Sequence, residues 1–302
     1  PPAVPEGVEL RAICAVLEGI APLPAAWRRL VAFAAYYYQR SVGEIAVTAL
    51  PPQLRDMTAE QLARRLRPPK AAAKRAAKAA KAEQAEQAQQ APGAAPASAL
   101  APAPAAADIP PIVLSAEQAD VFTQIAAHPG PFLLYGSTGS GKTEVYLRTT
   151  QAALDADPGA QVLVMVPEIN LTPQLEARFR ERFEPGFGAG SVVCLHSGMT
   201  PAQRLNSWLA AHTGSARIVL GTRMAIFASL PGLRLIVVDE EHDPSYKSQE
   251  GARYSARDLA VYRAKVESEA LAAGGALLQA GPHPRTLPEG EGARGGDVGN
   301  PR

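Results

Sequence analysis

The sequence predicts an α/β protein built on a parallel, doubly wound sheet, and three observations carry this. Five short apolar runs rich in β-branched residues, FLLY (132–135), QVLVMV (161–166), SVVCL (191–195), RIVLG (217–221) and LRLIVVD (233–239), alternate with segments of helical character. The runs are continuously apolar rather than alternating, as strands covered on both faces require. The last run closes on acidic residues, Asp239-Glu240-Glu241, and in open α/β sheets ligands bind at the carboxyl edge of the strands.

The helices between these runs announce their starts. Thr200-Pro201-Ala202-Gln203 combines an N-cap, a proline at the first helical position and a capping-box glutamine. Ser255 opens another helix, with Asp258 three residues on. Alternating strands and helices of this kind are the grammar of right-handed βαβ units.

Composition divides the 302 residues into four zones. Residues 1–67 form a partly helical N-terminal region, expected to be a partial domain of its own. In it Trp27, Leu30, Val31, Ala34 and Tyr38 recur at helical spacing, Pro51-Pro52 interrupts the chain, and Thr58 with Gln61 caps a short further helix. Residues 68–107 are an Ala/Lys/Pro-rich stretch read as a solvated linker, whose Lys70, Lys74, Arg75, Lys78 and Lys81 could also touch phosphate. Residues 108–265 hold the sheet. Residues 266–302 turn Gly- and Pro-rich, with little apolar content after Leu278, and are expected to be disordered.

Net charge is +1, so no global basic field points to nucleic acid, and any contact with it must come from local patches or backbone amides. Two cysteines, Cys14 and Cys194, lie far apart and exclude a disulfide scaffold or a cysteine-rich metal site, which fits a reducing cytoplasm. No apolar run reaches the about 20 residues of a membrane span, and no signal peptide opens the sequence. The first residue is not Met, so the natural start is expected to lie upstream.

Gly136-Ser137-Thr138-Gly139-Ser140-Gly141-Lys142-Thr143 matches the pattern G-x-x-x-x-G-K-[ST]. Glycines let successive amides curl around the phosphates of a nucleotide, the lysine supplies a point charge, and the threonine hydroxyl ligates Mg²⁺. The following helix adds its positive N-terminal end. A glycine-rich turn without a ligand would need no such context, whereas here a strand signal precedes and a helix signal, TEVYLRTTQAAL, follows.

An acid at a strand end can serve solubility alone. Three strand signals separate Thr143 from Asp239, however, a spacing that suits a nucleotide-hydrolysing sheet. On that reading Asp239 shares the Mg²⁺ with Thr143, Glu240 polarises the attacking water, and Lys142, Asp239 and Glu240 are the catalytic set.

The loop together with Asp239-Glu240-Glu241-His242 resembles a superfamily-2 helicase with a DEAH-type box, and so implies a RecA-like P-loop lobe. Within that superfamily GSTGSGKTEVYL, VPEINLTPQ (166–174), LHSG (195–198), GTRMAIFASL (221–230) and VVDEEHDPSYKSQEGARYSARDLAVYRA (237–264) resemble the primosomal protein N′ family. The likeness runs from about Leu114 to Ala264, with a weaker one over residues 8–55 to the end of that family's N-terminal DNA-binding domain.

The resemblance implies ATP-driven 3′-to-5′ DNA unwinding in replication restart, in the cytoplasm, with ATP and Mg²⁺. It implies single-stranded and forked DNA, primosome proteins and single-stranded-DNA-binding protein as partners. Gln118 is similar to the glutamine that reads adenine, although Ser115 and Gln118 also make a capping box. Asn170, Thr172, Thr222 and Arg223 correspond to contacts on the DNA backbone, and Tyr246, Lys247 and Arg253 to an aromatic and basic loop that senses single strands. His242 is similar to the residue that couples the two sites.

After Ala264 the family continues into a strand and a Gly-Ser-Ala-Thr motif, then a second lobe with an arginine finger and a cysteine cluster for Zn²⁺. None of these is found in this sequence, which is therefore expected to come from a truncated or frameshifted frame with little unwinding of its own. A non-catalytic ATP- and DNA-binding fragment, or another superfamily-2 translocase, are the alternative expectations.

Overall fold

The computed structural model describes residues 16–66, 113–137 and 139–279. Three helices come first, α1 (Ala25–Tyr37), α2 (Val42–Ala49) and α3 (Ala59–Leu66). α4 (Ala116–Ala127) and α5 (Lys142–Ala156) precede the first strand, β1 (Gln161–Met165). Then α6 (Pro173–Phe187), β2 (Val192–Leu195), α7 (Pro201–His212), β3 (Ile218–Gly221), β4 (Leu233–Val238) and α8 (Ala256–Gln279) follow. The four strands form one sheet in the order β2-β3-β1-β4, every pair parallel.

Helices cover both faces, so alternate residues of the central strand enter different cores. Val162 and Val164 pack with Leu147 and Leu154 of α5 and with Phe179 and Phe183 of α6. Leu163 and Met165 face the other way, toward α1, α8 and the turn that follows β3. All five residues of β1 are buried. The expected fold class, a parallel α/β lobe of RecA-like type, is the one the chain adopts.

The capping signals hold too. Thr200 and Gln203 form a reciprocal capping box at α7, with Pro201 at its first position. At α3 the Thr58 amide donates to Gln61 Oε1 at 3.1 Å and the Gln61 amide to Thr58 Oγ1 at 3.3 Å.

Three expectations need correction. FLLY is not a strand of the sheet: Phe132, Leu133 and Tyr135 are exposed, Tyr135 at 94%. It has the composition of a buried strand, but among the described residues it pairs with none of the four strands, and β propensity expresses itself only with a partner.

The N-terminal region is not a separate body over its described residues. Trp27, Leu30, Val31, Ala34, Ala35 and Ile45 belong to the same apolar cluster as Leu163, Met165 and Val219 of the sheet. The Trp27 indole N–H donates to Phe227 O at 2.8 Å, and the Phe33 ring stacks on Tyr262 of α8 with centroids 3.7 Å apart.

Nor does order end at residue 265, since α8 runs on to Gln279. Val266 is buried, and Glu269 pairs with Arg29 of α1 at 2.6 Å. Arg263 is wholly buried and donates from Nη1 to Ile226 O at 2.7 Å, with Glu267 beside it at 3.4 Å. The linker at 68–107, its lysines and the tail beyond residue 279 lie outside the described residues.

Candidate nucleotide and nucleic-acid site

Gly139 and Gly141 both sit at positive φ, 82° and 80°, where a side chain would be strained. Gly141 is the N-cap of α5, so Lys142 and Thr143 open the helix at its positive end. Space is as restrictive as torsion here: a Cβ on Gly141 would collide with Gln118 Nε2, and one on Gly136 would lie 2.7 Å from Ser140 Oγ. Lys142 Nζ donates to Gly136 O at 2.7 Å and Ser137 O at 3.0 Å, which holds the ammonium inside the loop's curl. Thr138 lies outside the described residues.

The other wall comes from β4. Because β4 lies beside β1 and the sheet is parallel, Asp239 emerges at the same carboxyl edge that α5 faces. One cavity of about 420 Å³ is lined by Gly139, Gly141, Lys142 and Thr143 on one side and by Asp239 and Glu240 on the other. That volume lies within the range of small-molecule sites. Among the described residues no cluster of three or more His, Cys, Asp or Glu gathers to hold a metal. The donor set at the loop suits a hard cation that takes most of its oxygens from phosphate and water, as Mg²⁺ does.

Asp239 is tightly held. Its Oδ1 accepts from the Glu240 amide at 3.0 Å and its Oδ2 from the Tyr146 hydroxyl at 3.3 Å. Burial, and then the neighbouring charge of Glu240, hold its carboxyl above the ordinary aspartate range. Glu240 has φ 48°, a left-handed conformation uncommon outside glycine, and such strain clusters at functional positions. His242 is exposed and lies 3.7 Å from Glu240.

A carboxyl whose folded-state pKa is raised favours the folded protein while protonated, and that contribution is lost as pH rises through the folded value. At neutral pH an ionised Asp239 therefore costs stability. Asp239→Asn is expected to raise the unfolding temperature of the nucleotide-free protein at pH 7, with the gain shrinking as pH falls. It is also expected to remove the extra stabilisation that Mg²⁺ with nucleotide confers. Thermal scans across pH, with and without Mg²⁺-nucleotide, measure both.

Gln118 is the capping-box residue of α4: its Oε1 accepts from the Ser115 amide at 3.0 Å. Its Nε2 donates to Ser140 O at 3.0 Å. The glutamine thus ties α4 to the phosphate loop, with one amide hydrogen left for a base.

The expected DNA-contact residues spread along the same carboxyl edge. Asn170 is exposed in a short 3₁₀ turn after β1, and Thr172 N-caps α6, its hydroxyl accepting from the Leu175 amide at 3.3 Å. After β3, Thr222 is buried, while Arg223 is half-buried and reaches Glu168 at 3.3 Å and Ser245 O at 3.4 Å. The Ser197 hydroxyl, after β2, bonds the other oxygen of Glu168. Donors from the ends of β2 and β3 therefore meet at one carboxylate that follows β1.

The loop at 246–254 corrects the aromatic expectation. Tyr246 is buried at 2%, and its hydroxyl donates to Met165 O at 3.0 Å and Asp239 O at 2.6 Å. Tyr254 is also buried, edge-on against Phe227 at 5.0 Å. Neither ring is free to stack on a base. Lys247 and Arg253 do face solvent, with Lys247 Nζ 5.3 Å above the Tyr38 ring. An antiparallel bridge between Lys247 and Ser255 closes the loop. Tyr246→Phe is expected to destabilise the fold by about 1–3 kcal/mol, because Asp239 O loses its hydroxyl donor while Met165 O keeps only the Asp239 amide. Single-stranded DNA binding should stay unchanged. Urea unfolding beside a DNA titration at low salt measures both.

Some site residues carried no motif. Glu144, buried at 5%, pairs with Arg182 of α6 at 3.0 Å and with Arg148 at 3.0 Å, fastening α6 to the first turn of α5. Tyr146 shares a helix face with Thr143 through i, i+3 spacing, a signal that could have placed it.

Residues 115–273, more than half of the chain, match the DEAD/DEAH box helicase family. The chain belongs to that family. Relatives similar to it include several replication restart proteins PriA. That of Haemophilus influenzae is 47% identical over 156 residues, 51% of this chain and 20% of that protein. That of Bacillus subtilis is 43% identical over 137 residues, 45% of this chain and 16% of that protein. That of Synechocystis is 48% identical over 145 residues, 48% of this chain and 17% of that protein. The chain thus spans at most about a fifth of the length of these relatives.

Proposed function

We propose that this chain is the nucleotide-binding lobe of an ATP-dependent DNA helicase of replication restart. The single observation that carries the proposal is that the phosphate loop and the acids closing β4 line one cavity. Amides around Gly139 and Gly141 cradle the phosphates, with Ser137, Thr138 and Ser140 completing the loop. Lys142 supplies charge to them, and the start of α5 adds its dipole. Thr143 and Asp239 are the residues that would hold Mg²⁺. The metal, when bound, neutralises charge on the phosphate oxygens. Glu240, set at its strained backbone angle beside Asp239, orients and polarises the attacking water. His242, next to Glu240, passes the state of the nucleotide to the DNA edge.

Asn170, Thr172, Arg223, Lys247 and Arg253 hold the DNA backbone, where contacts position the strand without reading its sequence. Thr222, expected among them, is buried and instead shapes the turn that presents Arg223. Tyr246 serves by shaping the floor beneath Asp239, not by stacking. Unwinding in the 3′-to-5′ direction at forks, in a cytoplasmic primosome with single-stranded-DNA-binding protein, is the wider activity in which the lobe acts. The PriA name of its relatives supports that context.

Replacing Asn170 and Arg223 together by alanine is expected to weaken single-stranded DNA binding about equally across sequences and to reduce the salt slope by about 1. Nucleotide affinity should stay as it was. Titrations at two salt concentrations test this, and an unchanged DNA affinity at low salt would contradict it.

A further inference from the structure

Arginines project from α6 toward the phosphate loop, and they are not equivalent. Arg182 is committed to Glu144, as is Arg148 of α5. Arg178, one turn before Arg182 on the same helix face, lines the nucleotide cavity with Lys142, Thr143, Asp239 and Glu240. It is exposed, and among the described residues it makes no hydrogen bond or ion pair. Its charge also reaches the Tyr146 phenol, whose hydroxyl rests on Asp239. The guanidinium thus shares the cavity with Lys142, Thr143 and the two acids.

The charges around the cavity need such a group. Lys142 is tied into the loop by Gly136 O and Ser137 O. The far wall is acidic, with Asp239 and Glu240 side by side. A terminal phosphate pushed against two carboxylates is disfavoured unless a cation answers it from the opposite wall, and a guanidinium offers paired donors suited to phosphate oxygens.

We propose that Arg178 binds the terminal phosphate of a nucleoside triphosphate and so lets the lobe distinguish triphosphate from diphosphate. The assignment rests on the phosphate-loop reading and adds a selectivity that the loop alone does not provide. α6 begins at its Thr172 cap, beside the DNA-contact edge, and is fastened to α5 by Glu144 and Arg182. The helix that bears Arg178 therefore spans both edges of the site.

The test compares the 302-residue chain with Arg178→Ala, Arg178→Lys and Lys142→Ala, titrated with a non-hydrolysable ATP analogue and with ADP, each with Mg²⁺. Circular dichroism checks that each folds; Arg178 is exposed, so its loss leaves the core intact. Arg178→Ala should weaken the analogue about tenfold, the share of one charge-assisted phosphate contact, and leave ADP within about twofold. Arg178→Lys should fall between the two. Equal loss of both nucleotides, or loss of neither, overturns the assignment while Lys142→Ala still abolishes binding. If the unaltered chain binds neither nucleotide, the phosphate-loop reading itself fails and the role of Arg178 goes with it.

Discussion

Lys142→Ala is expected to abolish Mg²⁺-nucleotide binding at concentrations that saturate the unaltered chain, a loss of about 100-fold or more. The effect is large because the lysine is the only ammonium among the residues that line the cavity. Two loop carbonyls already hold it in place, so little side-chain entropy remains to be lost on binding. Fold stability should change little, since Lys142 is only half-buried and lies outside both apolar clusters that pack on the sheet. Calorimetric titration of nucleotide into both proteins measures the loss, and equal affinities would remove the nucleotide site from this loop.

The second large effect concerns stability. Trp27→Ala should destabilise the lobe by about 3–5 kcal/mol, the usual cost of deleting a buried tryptophan. Trp27 is 3% exposed, packs in the cluster that includes Leu163 and Met165 of the central strand, and holds Phe227 O by a 2.8 Å hydrogen bond. Its removal leaves both a cavity and an orphaned carbonyl. Tyr36, on the same helix but 78% exposed, should tolerate alanine within about 0.5 kcal/mol. Urea denaturation of the two variants distinguishes an N-terminal segment that completes the core from one that merely precedes it. Similar small losses for both would restore the separate-domain expectation.

That contrast shows where sequence reasoning reached its limit. The helical spacing of Trp27, Leu30, Val31 and Ala34 was legible, because an apolar stripe is a local pattern. Which surface the stripe meets was not, since Phe227 and Tyr262 lie some two hundred residues away. The phosphate loop and the acidic strand end were legible for a related reason: glycines at positive φ and an acid at a carboxyl edge are demanded by local geometry. The capping boxes at α3, α4 and α7 likewise need only four consecutive residues.

Partner-dependent features were misjudged. FLLY carries strand composition but finds no ladder. Tyr246 and Tyr254 sit among basic residues that suggest a nucleic-acid loop, yet the 3₁₀ turn at Pro244–Tyr246 directs the first ring inward to Met165 O and Asp239 O. A tyrosine is amphipathic, and sequence alone does not say whether its ring or its hydroxyl faces water. Nothing in the sequence marks Arg178, since an arginine within ARFRER looks like any other solvated charge until the helix is seen to wall the cavity.

On this reading Thr143 and Asp239 would share one divalent ion at the mouth of the phosphate loop. Crystals of the chain grown with Mn²⁺ and a non-hydrolysable ATP analogue test it by anomalous scattering. A single strong peak is expected within coordinating distance of Thr143 Oγ1, about 2 Å, and linked to Asp239 directly or through one water. A nucleotide bound with its metal away from both residues, or bound outside the loop, would contradict it.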